Sequence, residues 1–243
     1  MSDHDVAARL ATAAGQLLLG VRAELADGAA AERKAEGDKR SHDFLMEALA
    51  AERPGDAVLS EEGADNPVRL TAERVWIVDP LDGTREFSEL GRDDWAVHVA
   101  LWQSGELVAG AVALPAQNIT LATPTVTLPP GTADNPRIVV SRTRPPAIAL
   151  AVRDALDGVL VEMGSAGAKV ASVIQGLSDI YVHAGGQYEW DSAAPVAVAR
   201  AAGLHTSRID GSPLVYNKAD PLLPDLVVCR PEFADAVLAV TAG

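Results

Sequence analysis

The strongest constraint on the fold of this chain is an apolar segment that runs directly into a turn carrying two carboxylates. Trp76, Ile77 and Val78 are typical of a buried strand, and Asp-Pro-Leu-Asp-Gly-Thr follows at positions 79–84. A proline cannot donate to a strand ladder and a glycine permits tight curvature, so we predict that the strand ends at Asp79. A lone motif of this kind is most often only a turn, and its chemistry therefore depends on the rest of the chain.

This turn can present oxygen ligands to a divalent cation. The carboxylates of Asp79 and Asp82 and the carbonyl of Leu81 can point toward one side, and hard oxygen ligands suit Mg²⁺. The N–H groups of Gly83 and Thr84 would open a short helix, where an anion is favourably received. The pattern therefore predicts a place where a metal ion and a phosphate meet.

Two further acidic segments narrow the interpretation. Upstream, an apolar strand ends in Glu61 and Glu62, and downstream the chain reads Glu-Trp-Asp-Ser-Ala-Ala from Glu189. With the turn at 79–84, these segments resemble the signature set of the inositol monophosphatase superfamily of Mg²⁺-dependent, lithium-sensitive phosphatases. The resemblance spans nearly the whole chain. It implies an α/β (α+β) fold, the layered α-β-α-β-α sandwich of the inositol monophosphatase and fructose-1,6-bisphosphatase type, with the active site between two lobes.

The resemblance implies a metal-binding role for five residues. Glu61, Asp79 and the Leu81 carbonyl would hold one Mg²⁺ ion. Asp79, Asp82 and Asp191 would hold a second, so that Asp79 bridges the two. A third ion remains an open alternative.

Two residues are implied as the catalytic pair. Thr84 would orient and deprotonate the attacking water, and its partner in the family is a loop carboxylate, for which Asp38 falls at the matching place. The flanking residues of Asp38 depart from the family pattern. The alternative is that Asp38 is a solvated charge and Thr84 an ordinary helix-start residue.

The residues after the metal turn indicate a branch of the superfamily. Thr-Arg-Glu-Phe at 84–87 resembles the CysQ branch, which removes the 3′-phosphate of 3′-phosphoadenosine 5′-phosphate. The second phosphate of such a nucleotide needs additional cations, and Arg85, Arg142 and Lys169 are available. The candidate substrate contacts are Asp82, Gly83, Thr84, Arg85, Ser141, Arg142, Gly164, Ser165, Lys169 and Asp191.

The sequence is also compatible with two other functions. An inositol monophosphatase or fructose-1,6-bisphosphatase would use the same metal centre, because the ligands do not select the substrate. A noncatalytic metal- or phosphate-binding protein would be expected to lose one of the acids, and all are present.

Composition limits the partners. The chain has 243 residues, a net charge of −14 and 34 acidic residues against 20 basic ones, which argues against binding to a nucleic-acid polymer or an anionic membrane. The sequence shows no apolar run of membrane-spanning length, and Cys229 is its single cysteine, so we expect a soluble protein of the cytoplasm that acts on a small phosphorylated substrate. Family analogy implies a homodimer.

Hydrophobic periodicity predicts two lobes. A long helix with apolar residues from Val6 to Leu25 opens the chain, residues 29–40 are predicted to form a mobile loop, and Ser41 is predicted to cap a second helix. Five strands then suggest an antiparallel sheet, and strands alternate with helices after Ile138. The segment 124–136 is the predicted boundary, which gives an N-terminal α+β lobe at 1–130 and a C-terminal α/β lobe at 131–243. The five histidines are predicted to be structural or solvated, because no catalytic or metal-binding spacing relates them.

Overall fold

The computed structural model describes residues 1–131 and 135–243, and this part of the chain contains seven α-helices and ten strands. The helices are α1 (Asp3–Glu24), α2 (Ala30–Glu52), α3 (Thr84–Ser88), α4 (Ala147–Ala155), α5 (Ala166–Ile174), α6 (Glu189–Ala201) and α7 (Ala234–Thr241). The strands are β1 (Ala57–Ser60), β2 (Arg74–Asp82), β3 (Ala96–Gln103), β4 (Glu106–Leu114), β5 (Ile119–Ala122), β6 (Arg137–Ser141), β7 (Val159–Met163), β8 (Ile180–Ala184), β9 (His205–Ser207) and β10 (Asp225–Cys229).

The strands form two five-stranded sheets. The first has the order β1-β2-β3-β4-β5, and the predicted antiparallel pairing is confirmed except that β1 runs parallel to β2. The second has the order β7-β6-β8-β10-β9, with β6 parallel to both of its neighbours and β10 antiparallel to both of its own. The alternation of strands and helices predicted after Ile138 is therefore confirmed.

Helices cover both sheets and also separate them. Apolar residues of α1 and α2 pack on one face of the first sheet, as the buried Leu10, Leu18 and Leu45 show. The other face shares a single core with α5, α6 and the second sheet. On the far side of the second sheet, α4 and α7 close a third core. This order of layers is the predicted α-β-α-β-α sandwich.

The prediction of a mobile loop at 29–40 is wrong, because these residues form the first half of α2. Its buried face carries Arg33, Gly37 and Ser41, which are polar or small, so no apolar period marks the helix. The Arg33 guanidinium donates to the carbonyls of Leu25, Gly28 and Ser88 at 3.0, 2.6 and 3.0 Å. Ser41 is not a cap: it lies inside the helix and its hydroxyl donates to the Pro80 carbonyl at 2.7 Å.

Gly37 explains how closely α2 can approach the metal turn. A Cβ at this position would lie 2.7 Å from Phe87 Cε1 and 2.9 Å from Leu81 Cδ2. Such contacts are too short for a larger residue, so the glycine lets the helix backbone pack against the turn. The first half of α2 is thereby fixed on the turn that the sequence analysis singled out.

The division into two lobes stays a prediction. The first sheet uses residues 57–122 and the second uses residues 137–229. Residues 132–134, within the predicted boundary segment, lie outside the described residues. Among the helices described, none is both long enough and apolar enough to cross a membrane.

Candidate active site

A β-bulge places the two aspartates of the metal turn on one face of the first sheet. The prediction that the strand ends at Asp79 is wrong: β2 continues to Asp82, with Asp79 opposite His98 and Asp82 opposite Ala96. Three steps along β2 thus correspond to two steps along β3, so β2 contains one extra residue. Side chains alternate between faces along a strand, and residues three apart normally point to opposite sides. The extra residue cancels this offset and turns both carboxylates the same way.

The third carboxylate of the cluster comes from the helix between the two sheets. Asp191 lies in the first turn of α6, and its Oδ2 accepts a hydrogen bond from the Tyr188 N–H at 2.7 Å. Ligand oxygens of Asp79, Asp82 and Asp191 all lie within 4.8 Å of one another. The structure therefore brings together three of the predicted metal ligands, although Asp191 lies more than a hundred residues after the other two in the sequence.

Burial and mutual repulsion change the pKa values of these acids. Loss of water around Asp79, with Glu61, Asp82 and Asp191 nearby, raises its pKa well above the usual range. Burial and neighbouring acids raise the pKa of Asp191 to about 6 and that of Glu61, whose carboxyl contacts Asp79, to about 7. A cluster that resists ionisation in this way is one that a cation would stabilise.

Asp82 is the exception, because the protein already supplies it with donors. Its carboxylate accepts hydrogen bonds from the N–H groups of Ala166 at 3.2 Å and Gly167 at 2.5 Å, in the first turn of α5. Burial opposes ionisation of Asp82, but His98, the Gly167 N–H and Lys169 outweigh it and lower its pKa. Asp82 is thus held as a carboxylate at the point where α5 meets the first sheet.

His98 is the residue of this site that the sequence analysis missed. It is fully buried on β3, its Nε2 lies 3.2 Å from Asp82 Oδ2, and its Nδ1 lies 3.1 Å from the Trp190 carbonyl. A Cβ on Gly167 would lie 2.0 Å from Nε2, so this glycine leaves the space for the ring. A histidine within an apolar strand gives no motif. Its place in the site becomes apparent from the strand register, in which it lies opposite Asp79.

The donor set fits a hard divalent cation. Three carboxylates converge, and the Leu81 carbonyl lies in the same bulge, where it accepts from the Thr84 hydroxyl at 3.2 Å. Carboxylate and carbonyl oxygens are the ligands that Mg²⁺ prefers. The residues present therefore fit the predicted metal, with Glu61 at the Asp79 side of the cluster.

Thr84 and Asp38 meet beside the cluster as predicted. The left-handed Gly83, at φ 83°, ends the bulged strand, and Thr84 begins the short helix α3. The Thr84 hydroxyl lies 3.2 Å from Asp38 Oδ1, and burial together with Glu62 raises the pKa of Asp38 to about 6. Asp38 lies on α2 and not on the predicted loop, and its carboxylate is within hydrogen-bond distance of the Thr84 hydroxyl.

The cationic residues predicted to contact substrate are engaged elsewhere. Both Glu86 and Glu89 accept hydrogen bonds from the Arg142 guanidinium at 2.8 Å, and Arg85 donates to the same Glu89 at 3.2 Å. The Lys169 ammonium is buried against the carbonyls of Gly164 and Ser165. These three side chains therefore order the protein around the site in this structure.

The two serines predicted to contact the substrate lie in different places. Ser165 caps α5 by accepting from the Ala168 N–H at 2.9 Å, and a Cβ on Gly83 would lie 2.7 Å from its Cβ. Ser141 instead lines a cavity of about 350 Å³ together with Arg144, His183 and the turn at Gly185 and Gly186. The loop at 164–165 thus packs on the metal turn, whereas Ser141 lines a separate cavity.

The pKa values predict how metal-free protein responds to pH. Asp38, Glu61 and Asp191 have folded-state pKa values raised above the ordinary ones, so their contribution to stability is present at low pH and is lost as pH rises through about 6 to 7. Mg²⁺ should offset this loss. We expect Mg²⁺ to raise the melting temperature more at pH 7.5 than at pH 5.5, by at least about 3 °C, the shift that roughly 1 kcal/mol produces in a domain of this size.

Differential scanning fluorimetry with K⁺ at matched ionic strength as control measures this difference. Asp79→Asn should reduce it, since one buried acid no longer ionises. An equal Mg²⁺ shift at both pH values would show that the acidic cluster is not where Mg²⁺ acts.

An α-β-α-β-α sandwich that carries a carboxylate cluster, with a hydroxyl–carboxylate pair beside the cluster, has the fold and the site of a metal-dependent phosphatase. The inositol monophosphatase family profile matches residues 2–127 and 137–241. The chain belongs to this family.

Relatives of known name agree with this assignment. The chain is 54% identical over 238 residues to the 3′-phosphoadenosine 5′-phosphate phosphatase of Mycobacterium tuberculosis, an alignment covering 94% of this chain and 89% of that protein. It is 32% identical over 200 residues to the 3′(2′),5′-bisphosphate nucleotidase CysQ of Escherichia coli, covering 76% and 80%. The structure of inositol monophosphatase II from Staphylococcus aureus superposes with a TM-score of 0.80 at 20% identity, over 95% of this chain and 89% of that one. The last similarity establishes the fold alone.

Proposed function

We propose that this protein is a Mg²⁺-dependent phosphatase that removes the 3′-phosphate of 3′-phosphoadenosine 5′-phosphate and releases AMP and phosphate. The observation that carries the proposal is the 54% identity, over 94% of the chain, to a phosphatase named for this substrate. The geometry supports it, since the acids needed for metal-assisted phosphoryl transfer converge and none is replaced. The same completeness disfavours a noncatalytic binding protein.

In the proposed reaction, the metal ion, Thr84 and Asp38 have separate roles. When bound, Mg²⁺ supplies charge neutralisation for the phosphoryl oxygens and lowers the pKa of water at the site. Thr84 Oγ1 orients the attacking water and takes a proton from it, while the Thr84 hydroxyl proton passes to Asp38 Oδ1, 3.2 Å away. As the water oxygen bonds to phosphorus, the bond from phosphorus to the 3′ oxygen breaks, and that oxygen leaves with a proton from solvent. A carboxyl whose pKa is about 6 can accept a proton near neutral pH and can release it again before the next turnover.

The leaving nucleotide needs a place beside the cluster. The cavity of about 350 Å³ lined by Ser141, Arg144, His183 and the glycine turn has the size of a small-molecule site. It lies at the ends of β6 and β8, and the chain leads from its glycine turn through Tyr188 to Asp191. We propose that this cavity receives the part of the nucleotide that carries the 5′-phosphate.

Several finer features belong to the same proposal. The resident ion is Mg²⁺, with two or three ions per site, and Li⁺ inhibits by entering the same cluster of hard oxygen ligands. The protein is proposed to act in the cytoplasm as a homodimer, in sulfur assimilation and nucleotide recycling. These features rest on the properties of the family, and the acidic triad supports the binding of cations.

A comparison of three substrates tests the proposal. Phosphate release should be measured with Mg²⁺ from 3′-phosphoadenosine 5′-phosphate, inositol 1-phosphate and fructose 1,6-bisphosphate under identical conditions. We expect the largest kcat/KM for the nucleotide. A larger kcat/KM for inositol 1-phosphate or fructose 1,6-bisphosphate would instead favour an inositol monophosphatase or a fructose-1,6-bisphosphatase, which would use the same metal centre.

Arg142→Ala tests how the second phosphate is recognised. If Arg142 leaves Glu86 and Glu89 to contact that phosphate, kcat/KM for the nucleotide should fall about ten- to a hundredfold, the value of a charge-assisted contact worth roughly 1.5–3 kcal/mol. The kcat/KM for inositol 1-phosphate, which has no second phosphate, should not change. Arg153→Ala, on the exposed side of α4, is the control. Parallel losses on both substrates would mean that Arg142 serves only to hold the two glutamates.

A further inference from the structure

A fully buried arginine lies outside the acidic cluster and joins the two parts of the chain that supply its ligands. Arg69 is on the 3₁₀ turn Pro67–Leu70, between β1 and β2, and none of its surface is exposed. Its Nε and Nη2 donate to the two carboxylate oxygens of Asp65 at 2.6 and 2.9 Å. Asp65 belongs to the loop that begins with Glu61, so this bidentate pair fixes the loop of a predicted metal ligand.

The opposite side of the same guanidinium reaches the second half of the chain. Nη1 donates to Asn217 Oδ1 at 2.8 Å and to the Lys218 carbonyl at 2.9 Å. The Asn217 amide donates back to the Arg69 carbonyl at 3.1 Å. Asn217 has a left-handed backbone, at φ 60°, so its side chain is presented from a tightly defined turn.

A buried glutamate carries this connection into helix α6. Glu189 has no exposed surface, and its carboxylate accepts from the N–H groups of Asn217 at 2.6 Å and Lys218 at 2.9 Å. Glu189 stands two residues before Asp191, in the same helical turn. One continuous set of hydrogen bonds therefore leads from the Glu61 loop through Arg69 to the helix of Asp191.

We propose that Arg69 is a positioning residue that holds the Glu61 loop and the Asp191 helix at the separation the acidic cluster needs, and so sets its Mg²⁺ affinity. This inference rests on the proposed function. Burying charged side chains costs desolvation free energy. Apolar residues of similar volume often stabilise a fold equally well. A buried arginine and a buried glutamate that connect the ligand-bearing segments by hydrogen bonds are instead suited to hold together acids that repel one another. Groups that orient metal ligands typically change metal affinity by ten- to a hundredfold.

Arg69→Lys tests the proposal, because it keeps the charge and loses the fork. We expect the Mg²⁺ concentration at half-maximal thermal shift to rise about ten- to a hundredfold. The Mg²⁺ midpoint for hydrolysis should rise by the same factor, with kcat at saturating Mg²⁺ within about threefold of wild type. Arg137→Lys is the matched control, since Arg137 forms the same bidentate pair with Asp179 at 2.9 and 2.9 Å in the second sheet. This control should lower the melting temperature and leave the Mg²⁺ midpoint unchanged.

A milder variant keeps the proposal testable if Arg69→Lys does not fold. Asn217→Gly accepts the left-handed backbone and removes only the side-chain amide, so it should raise the Mg²⁺ midpoint by a smaller factor. Unchanged midpoints in the folded variants would overturn the proposal and leave Arg69 with a purely structural role. A wild-type protein without a Mg²⁺ shift would overturn it too. Because the thermal shift needs no substrate, failure of the nucleotide activity alone would leave the result on Arg69 intact.

Discussion

Asp82→Asn is expected to reduce kcat by about three orders of magnitude or more while the protein stays folded. Asp82 is the one acid of the cluster that the protein keeps ionised through its own donors. Loss of its charge removes a ligand from the site that must neutralise the phosphoryl group, an effect worth several kcal/mol. An asparagine retains one acceptor oxygen for the first turn of α5, and it relieves repulsion with Asp79 and Asp191.

The measurement is Mg²⁺-dependent phosphate release at saturating Mg²⁺, together with the melting temperature. Asp225→Asn is the control, because Asp225 is also buried, accepts from the Ile209 N–H at 3.0 Å and pairs with Arg208. This control should lose stability and keep its activity. Near-normal turnover of Asp82→Asn at saturating Mg²⁺ would remove the metal assignment.

Asp38→Asn is expected to lower kcat by about a hundred- to ten-thousandfold, the usual contribution of a general base. The Mg²⁺ concentration that gives half-maximal activity should hardly change, because Asp38 lies outside the carboxylate triad. At saturating Mg²⁺, which keeps the acids of the metal cluster ionised, wild-type kcat should fall as pH drops through about 6, since the base must be ionised and burial raises its pKa to that value. The variant should lack this acid limb. Thr84→Ser should keep most of the activity, because it keeps the hydroxyl. Thr84→Val should lose as much activity as Asp38→Asn does.

Asp43→Asn provides the control on the same helix, because Asp43 is exposed and pairs with Lys39. Its kcat and pH profile should match those of wild type. An Asp38→Asn enzyme with a full acid limb would show that another group accepts the proton, and the solvated-charge interpretation of Asp38 would then stand.

The sequence was sufficient for the parts of the site that depend on residue type and order. The apolar segment before Asp79 and the two carboxylates of the turn predicted a metal site. The family resemblance added Asp191, and the structure brings these three acids together. The resemblance supplied the layered fold, and the family assignment confirms it.

Other features depend on packing that no sequence period records. Helix α2 was missed over 30–40 because its buried face is built from Arg33, Gly37 and Ser41, which hydrogen-bond to carbonyls or make room for neighbours. The bulge was missed because one extra residue reverses the alternation that identifies a strand face. His98 became visible only through its partner across the sheet. Arg69 was missed because two of its partners, Asn217 and Lys218, lie far along the chain.

The central claim is that the acidic cluster removes the 3′-phosphate from 3′-phosphoadenosine 5′-phosphate, and phosphorus NMR of the products tests it most directly. With Mg²⁺, the signal of the 3′-phosphate should disappear while inorganic phosphate and AMP accumulate in equal amounts, and a chelator in excess over Mg²⁺ should abolish the reaction. Asp82→Asn should leave the substrate intact under the same conditions. Release of the 5′-phosphate, or an unchanged substrate spectrum with wild-type protein and saturating Mg²⁺, would contradict the account.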